Sequence, residues 1–425
     1  MAAKGKVELK NKLAKKLAAR LKKTVKYVGY KWLLPVVYRW HSRKPINDRL
    51  VVFADLRDRD MPDNFLSLYE LCERDGYQCE VLSGRSFSNK LPNWQRRKAK
   101  LRFHFQFIKL YAQCRTLFLV EHFPLSDIAK PRPGTQVVQL WHGCGLMKRM
   151  GYAVTSEAWG AGAMSEREKK RYPMHTAYTL ASISSAGERE IAGYCEAFHS
   201  SPQIVKPLGV PRTDIYFDDG FRKRAEEKVR LLFPEIGGRK VILYAPTFRG
   251  KSIAKSYIKY DLNFKRLKEC LSDRYALITK FHPLMAKSGL PESGRLQGRG
   301  FVFDGTELLT PEEALCAADI LVTDYSSIIF EYYLLERPVI SYIYDIDKYD
   351  EDRGLFFPYD QLAPGPYVFD QEELTEKLLT VEEWFDVERV RALKNRFMSA
   401  CDGHSTQRIY DYVFHRPSEK GGKPS

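Results

Sequence analysis

Short apolar runs rich in β-branched and aromatic residues recur along the chain. Each is followed by a segment with helical spacing, and this happens in two successive series. In the first, "RLVVFADL", "CEVLS", "RTLFLVE", "TQVVQLW" and "AYTLASISS" are separated by stretches such as 62–76 and 92–112. Pro207, Gly209 and Pro211 then stiffen a connector, "VKPLGVPRTDIYF". After it "KVILYAPTF", "YALITKF", "GFVFDG", "ILVTDY" and "PVISYIY" start the alternation afresh. Strands that alternate with helices pair in parallel under covering helices, and 425 residues exceed what one core usually serves. The expectation is an α/β chain with one domain over 46–210 and a second over 211–415. The second closes with helices near 371–381, 382–400 and 404–414. An arm at 1–45 precedes them, and a polar, Gly/Pro-rich tail at 416–425 comes last.

Charge sets the arm apart. Residues 1–50 hold fifteen Lys/Arg against two acids, so 13 of the net +16 lies there and the rest of the chain is nearly neutral. Leu9, Leu13, Leu17 and Leu21 fall four apart on one helical face, with lysines around it, which predicts a basic amphipathic helix. Trp32, Trp40 and several tyrosines come next, amphipathic rings suited to a headgroup zone. An anionic membrane surface is therefore favoured as partner over nucleic acid, for which no binding module is present, or over a solvated arm packing its rings on the body. No apolar run nears the roughly 20 residues that span a bilayer, so the chain is expected to lie on the membrane. Eight scattered cysteines without a CxxC pair or a Cys/His cluster, and no secretory signal, predict reduced thiols.

In open α/β sheets, ligands gather at the carboxyl ends of strands. Four such ends carry the most reactive residues here: Trp141-His142-Gly143, Pro246-Thr247-Phe248-Arg249, Lys280-Phe281-His282 and Thr323-Asp324-Tyr325-Ser326-Ser327. Ser326 and Ser327 open a helix, where free N–H groups and hydroxyls, with Thr323, suit a phosphate; ordinary capping by Asp324 or Ser326 would use the same residues. Glu331, a turn later, suits ribose hydroxyls or a solvated helix face. Arg249 and Lys280 suit the neutralisation of a pyrophosphate. The imidazoles of His142 and His282 have the pKa range of a general base; a lone histidine is more often structural, but two at the mouths of two domains shift the reading towards catalysis. No DxD pair sits at a strand end. "DIDKYDEDRG" (345–354) is taken as a solvated acidic loop, a lid or acceptor-facing segment, so no metal and no cofactor are expected.

Taken together, "LWHGCGLMKRMGY", "PLGVPRTDIYF", "VILYAPTFRG", "ITKFHPLM", "VTDYSSIIFEYYLLERPVISYIYDIDKY" and "RGLFFPYDQLAPGP" resemble, in order and spacing over about 135–400, the CDP-glycerol glycerophosphotransferase family of teichoic acid primases and polymerases and some capsule polymerases. This chain has Cys144-Gly145 where some members have Thr-Pro. The resemblance implies a GT-B-like fold, two Rossmann-like domains with a facing crevice, behind the basic N-terminal helix. It implies transfer of a polyol phosphate from CDP-glycerol, or CDP-ribitol, to a hydroxyl of a lipid-linked glycan acceptor at the cytoplasmic membrane face, with release of CMP and without a metal. His142 would be the base on the acceptor hydroxyl. His282 would touch the donor phosphate or act as acid on the leaving CMP. Thr323, Ser326 and Ser327 would bind the pyrophosphate, Arg249 would support its charge, and Glu331 would hold the ribose. The short form suits a primase or short-chain transferase. Two other readings stay open: a GT-B glycosyltransferase using a nucleotide sugar, and a membrane-bound polyanion-binding protein with a decayed site.

Overall fold

The computed structural model describes residues 28–57, 60–88, 90–121, 123–154, 179–247, 249, 262–281 and 298–415. The lysine-rich helix expected before residue 28, His282 and the 416–425 tail lie outside them. The chain divides into two compact units. One holds the described residues up to Gln139 with the start of the fifth strand, and the other holds Leu140 to Val154 and everything described from Ala181 on.

The first unit is built on helix α1 (Leu34–His41), β1 (Asn47–Asp55), α2 (Asp63–Arg74), β2 (Gln78–Ser83), α3 (Asn93–Tyr111), β3 (Cys114–Leu119) and β4 (Gln136–Gln139). With β5 (Thr179–Ser182) and β6 (Val205–Lys206) these strands form a six-stranded sheet in the order β2-β1-β3-β4-β5-β6. The run Leu50–Asp55 in β1 is buried without alternation, as expected of a parallel strand covered on both faces. Leu34 and Tyr38 of α1 enter the core made by Val52, Phe107, Ile108, Tyr111 and Leu117. The end of the basic arm is thereby part of this core.

The second unit carries α4 (Glu188–Phe198), a 3-10 turn over Pro211–Phe217, α5 (Asp219–Leu232), β7 (Lys240–Ala245), α6 (Phe264–Leu271), β8 (Tyr275–Thr279), β9 (Val302–Asp304) and α7 (Pro311–Ala317). It continues with β10 (Ile320–Thr323), α8 (Ile328–Tyr332), β11 (Val339–Tyr342), α9 (Ile346–Arg353), β12 (Tyr367–Val368), α10 (Gln371–Leu379), α11 (Val381–Trp384), α12 (Val387–Phe397) and α13 (Ser405–Phe414). Its parallel sheet runs β12-β11-β10-β7-β8-β9. That is the doubly wound order in which the strand sequence reverses between β7 and β10, the place where such sheets open a crevice. Thr310 and Glu313 close a capping box at the start of α7, fixing where that helix begins. The acidic stretch 345–354 is not the expected loop. It forms α9, begun at Asp345 and ended by Gly354 at φ +71°, a backbone region glycine enters without steric cost.

Candidate active site

At the carboxyl ends of β7, β8 and β10 the second unit lines a half-open cavity of about 560 Å³. The loop 141–151 forms one wall, with His142 and Lys148. Pro246 and Thr247 come after β7, Lys280 and Phe281 after β8, and Ser326, Ser327 and Ile328 after β10. His142, Lys280, Ser326 and Ser327 therefore meet on one cavity, as their strand-end positions predict. Phe281, next to His282 in sequence, lines it too.

The loop that carries His142 is held by ring contacts and hydrogen bonds behind the cavity wall. Trp141 sits at φ +57°, a left-handed conformation that costs a non-glycine residue about 1–3 kcal/mol unless its surroundings impose it. The Trp141 ring lies 4.4 Å from the His142 ring and edge-on to Phe198 at 5.0 Å. Gly145 N–H donates to Ser184 Oγ (2.9 Å), and Tyr194 O–H donates to the Gly145 carbonyl (2.8 Å). A Cβ on Gly145 would fall 2.4 Å from the Phe330 ring, and its φ is +61°. Glycine is therefore required there for both space and conformation.

Lys280 is half-buried and donates to the Thr306 carbonyl (2.6 Å). Burial pulls its ammonium below the ordinary lysine value, against a partial counter-pull from Glu312 and Asp304. Ser327 occupies the N-cap of α8 but makes no side-chain cap bond, and Ser326 Oγ accepts only a long contact (3.5 Å) from Ile328 N–H. Asp324 is not the cap either; its carboxylate accepts from Thr247 N–H (2.8 Å) and from Arg249 (2.9 Å). Capping does not consume the two serines. Thr247 brings a buried hydroxyl with no hydrogen-bond partner among the described residues.

Three expected ligands do not line the cavity. Thr323 is fully buried, and its hydroxyl donates to the Ala245 carbonyl (2.7 Å), clamping β10 to β7. The five N–H donors of Arg249 are spent on Asp345 (2.8 and 2.9 Å), Asp324 (2.9 Å), the Thr247 carbonyl (2.7 Å) and Tyr344 O–H (3.3 Å). Its guanidinium also lies over the rings of Tyr325, Tyr344 and Tyr349 at 5.1–5.4 Å. Burial works against its charge, but Asp345 and Asp324 hold it above the ordinary arginine value. With two carboxylates on one guanidinium the cluster is net negative, so it offers no charge to a phosphate. Glu331 is 5% exposed and is engaged by both terminal nitrogens of Arg212 (2.7 Å each) and by Tyr216 O–H (2.9 Å). It faces Arg212 rather than the cavity.

Arg212 is the residue that the strand-end argument misses. Its Nη2 also donates to the His142 carbonyl (3.1 Å), and Glu312 lies 3.9 Å from Nη1. The signal was in the connector: an arginine between Val210-Pro211 and Thr213 in an apolar stretch is either exposed or paired.

Two doubly wound sheets, with an imidazole after β4 of the first and basic and hydroxyl side chains after β8 and β10 of the second, define a GT-B-like α/β enzyme. Residues 36–415 match the family described as CDP-glycerol:poly(glycerophosphate) glycerophosphotransferase, and the chain belongs to that family. It is 31% identical over 373 residues to the teichoic acid ribitol-phosphate primase of Bacillus spizizenii, covering 87% of this chain and 92% of the relative. To the teichoic acid glycerol-phosphate primase of Bacillus subtilis it is 26% identical, covering 72% and 75%. It spans 56% of the length of the Bacillus spizizenii poly(ribitol-phosphate) polymerase. Among solved structures, the wall teichoic acid polymerase TagF superposes with a TM-score of 0.69 at 22% identity, over 94% of this chain and 97% of that one.

Proposed function

We propose that the protein transfers a polyol phosphate from CDP-glycerol or CDP-ribitol to a hydroxyl of a membrane-associated, lipid-linked glycan, releasing CMP. The observation that carries this reading is the convergence of His142, Lys280, Ser326 and Ser327 on one cavity in a chain of this family. In this scheme the His142 imidazole takes the proton of the acceptor hydroxyl. The freed oxygen attacks the phosphorus that bears the polyol, a phosphodiester forms, and the anhydride bond to the cytidine-bearing phosphate breaks. CMP leaves with the electron pair, and His282 is assigned to the donor phosphate or to protonation of that leaving group. Lys280 and the serine hydroxyls hold the diphosphate charge as it shifts to CMP. Residues 46–210 are assigned to the acceptor side and 211–415 to the CDP-polyol side.

Attachment to the cytoplasmic membrane face is proposed to be peripheral, since among the described residues no helix is long and apolar enough to cross a membrane. The reading is tested by CMP release from CDP-glycerol and, separately, CDP-ribitol, with a lipid-linked disaccharide acceptor and EDTA present. Acceptor-dependent release identifies the donor and shows that no added divalent metal is needed; silence with both donors sinks the reading.

A further inference from the structure

Arg212 and Glu331 form a largely buried ion pair, their side chains 13% and 7% exposed, that lies off the cavity. A buried pair is weak grounds for stability, since apolar residues of similar volume often replace one at no cost. What this pair does have is a third contact. The same guanidinium that Glu331 grips at both nitrogens donates to the carbonyl of His142, directly after the strained Trp141. Tyr216 O–H fixes the carboxylate from the other side.

We propose that Arg212 and Glu331 act as a positioning pair: the carboxylate fixes the guanidinium, the guanidinium fixes the His142 backbone, and the imidazole is thereby aimed into the cavity. The inference rests on the transferase reading for the use of that imidazole. It departs from a direct nucleotide contact, because the Glu331 oxygens that would receive ribose hydroxyls already receive Arg212 and Tyr216.

The test uses the full chain and four variants. Arg212→Lys keeps the charge but cannot span both carboxylate oxygens and the carbonyl, and Glu331→Gln removes the charge at constant shape. Both are expected to lower kcat about 100-fold, the scale of a misplacement near 1 Å, while the donor KM stays within about threefold. Tyr216→Phe is expected to move kcat in the same direction by less. The double variant Arg212→Met/Glu331→Met guards against a purely structural effect: it should melt near the parent, yet keep the low kcat, because the guanidinium bond to the His142 carbonyl is lost. The ring signals of His142 in protein labelled with nitrogen-15 histidine, assigned with His142→Asn, should shift in Arg212→Lys. A double variant with parental kcat makes the pair merely structural. A raised donor KM at unchanged kcat in Glu331→Gln makes Glu331 a ligand. Unmoved His142 signals overturn the proposal even if the parent releases no CMP from either donor, an outcome that condemns the transferase reading alone.

Discussion

His142 reaches the cavity from a backbone that has to be forced, with Trp141 left-handed before it and Gly145 locked behind it. Such strain is kept where geometry has a use, and the imidazole is the group in place to use it. Replacing His142 with Ala is expected to lower kcat by about 10²–10⁴-fold, the range of general-base catalysis, with donor affinity by calorimetry within about threefold. Undiminished turnover would end the base assignment. Lys280 gives a pH signature. Its ammonium is already held below the ordinary value by burial, so the free enzyme loses this positive charge at lower pH than a solvated lysine would. Donor kcat/KM should therefore fall as pH rises through that depressed value, while kcat, read in the complex where phosphate supports the charge, should fall only at higher pH. The stability sign is opposite: the unfolded chain holds this proton more tightly, so Lys280 lowers stability near neutrality and stability rises with pH through the same window. Lys280→Arg should push the kcat/KM limb upward; an unmoved limb assigns it to another group.

The cavity is made at the joints between strands and the loops or helices after them, and this part was legible in sequence. An apolar run that ends in His142, Lys280 or Ser326 has little reason to place a polar group there unless the sheet edge opens. Thr323, Arg249 and Glu331 carry the same local signature and are spent elsewhere. Their partners lie far off in sequence: Arg249 is caged by carboxylates 75 and 96 residues away, and Glu331 by an arginine 119 away. Such pairings depend on how β7, β10 and α9 come together, which no window of local pattern contains. The two strand series and the order of motifs were legible because each depends on local period alone, whereas the helix expected over 382–400 is two, α11 and α12, parted where the Asp386 side chain caps the second. At this scale two substitutions separate packing from chemistry. Gly145→Ala drives a methyl into the Phe330 ring and should cost about 1–3 kcal/mol. It should also lower the melting temperature and reduce kcat together, since it displaces the loop that carries His142. Arg249→Met leaves the buried Asp324 and the part-buried Asp345 without their cation, at about 3–5 kcal/mol, and should melt early without a specific rise in donor KM beyond that of the unfolded fraction. A large rise in KM in a fully folded protein would return Arg249 to the phosphate.

Charge and exposed apolar surface lie together at the start of the chain, and the membrane attachment proposed above would draw on both. Residues 1–27 contribute ten Lys/Arg against one acid. Directly after them Trp32, Val36 and Trp40 stand four apart and exposed, at 69%, 56% and 59%, while Leu34 and Tyr38 point into the core. Helix α3, which packs on α1, adds exposed Trp94, Leu101 and Phe105 among Arg97, Lys98, Lys100 and Arg102. A helix with one face in the core and an apolar second face edged by basic residues fits the peripheral membrane attachment proposed above. Two components should then be separable on vesicles containing anionic lipid. Each tryptophan that enters the acyl boundary gains about 1.5–3 kcal/mol, so Trp32→Ser and Trp40→Ser should each weaken binding roughly tenfold or more in low and high salt alike. Removing residues 1–27 takes away charges worth about 1 kcal/mol each near an anionic surface, a loss that should be large in 0.1 M salt and small in 1 M, where the Debye length is about 3 Å. A truncation that started at residue 41 would blur the result, because it would strip Leu34 and Tyr38 from the core. Sedimentation that leaves both kinds of variant bound like the parent, at either salt, would move the contact away from α1 and from the segment before it.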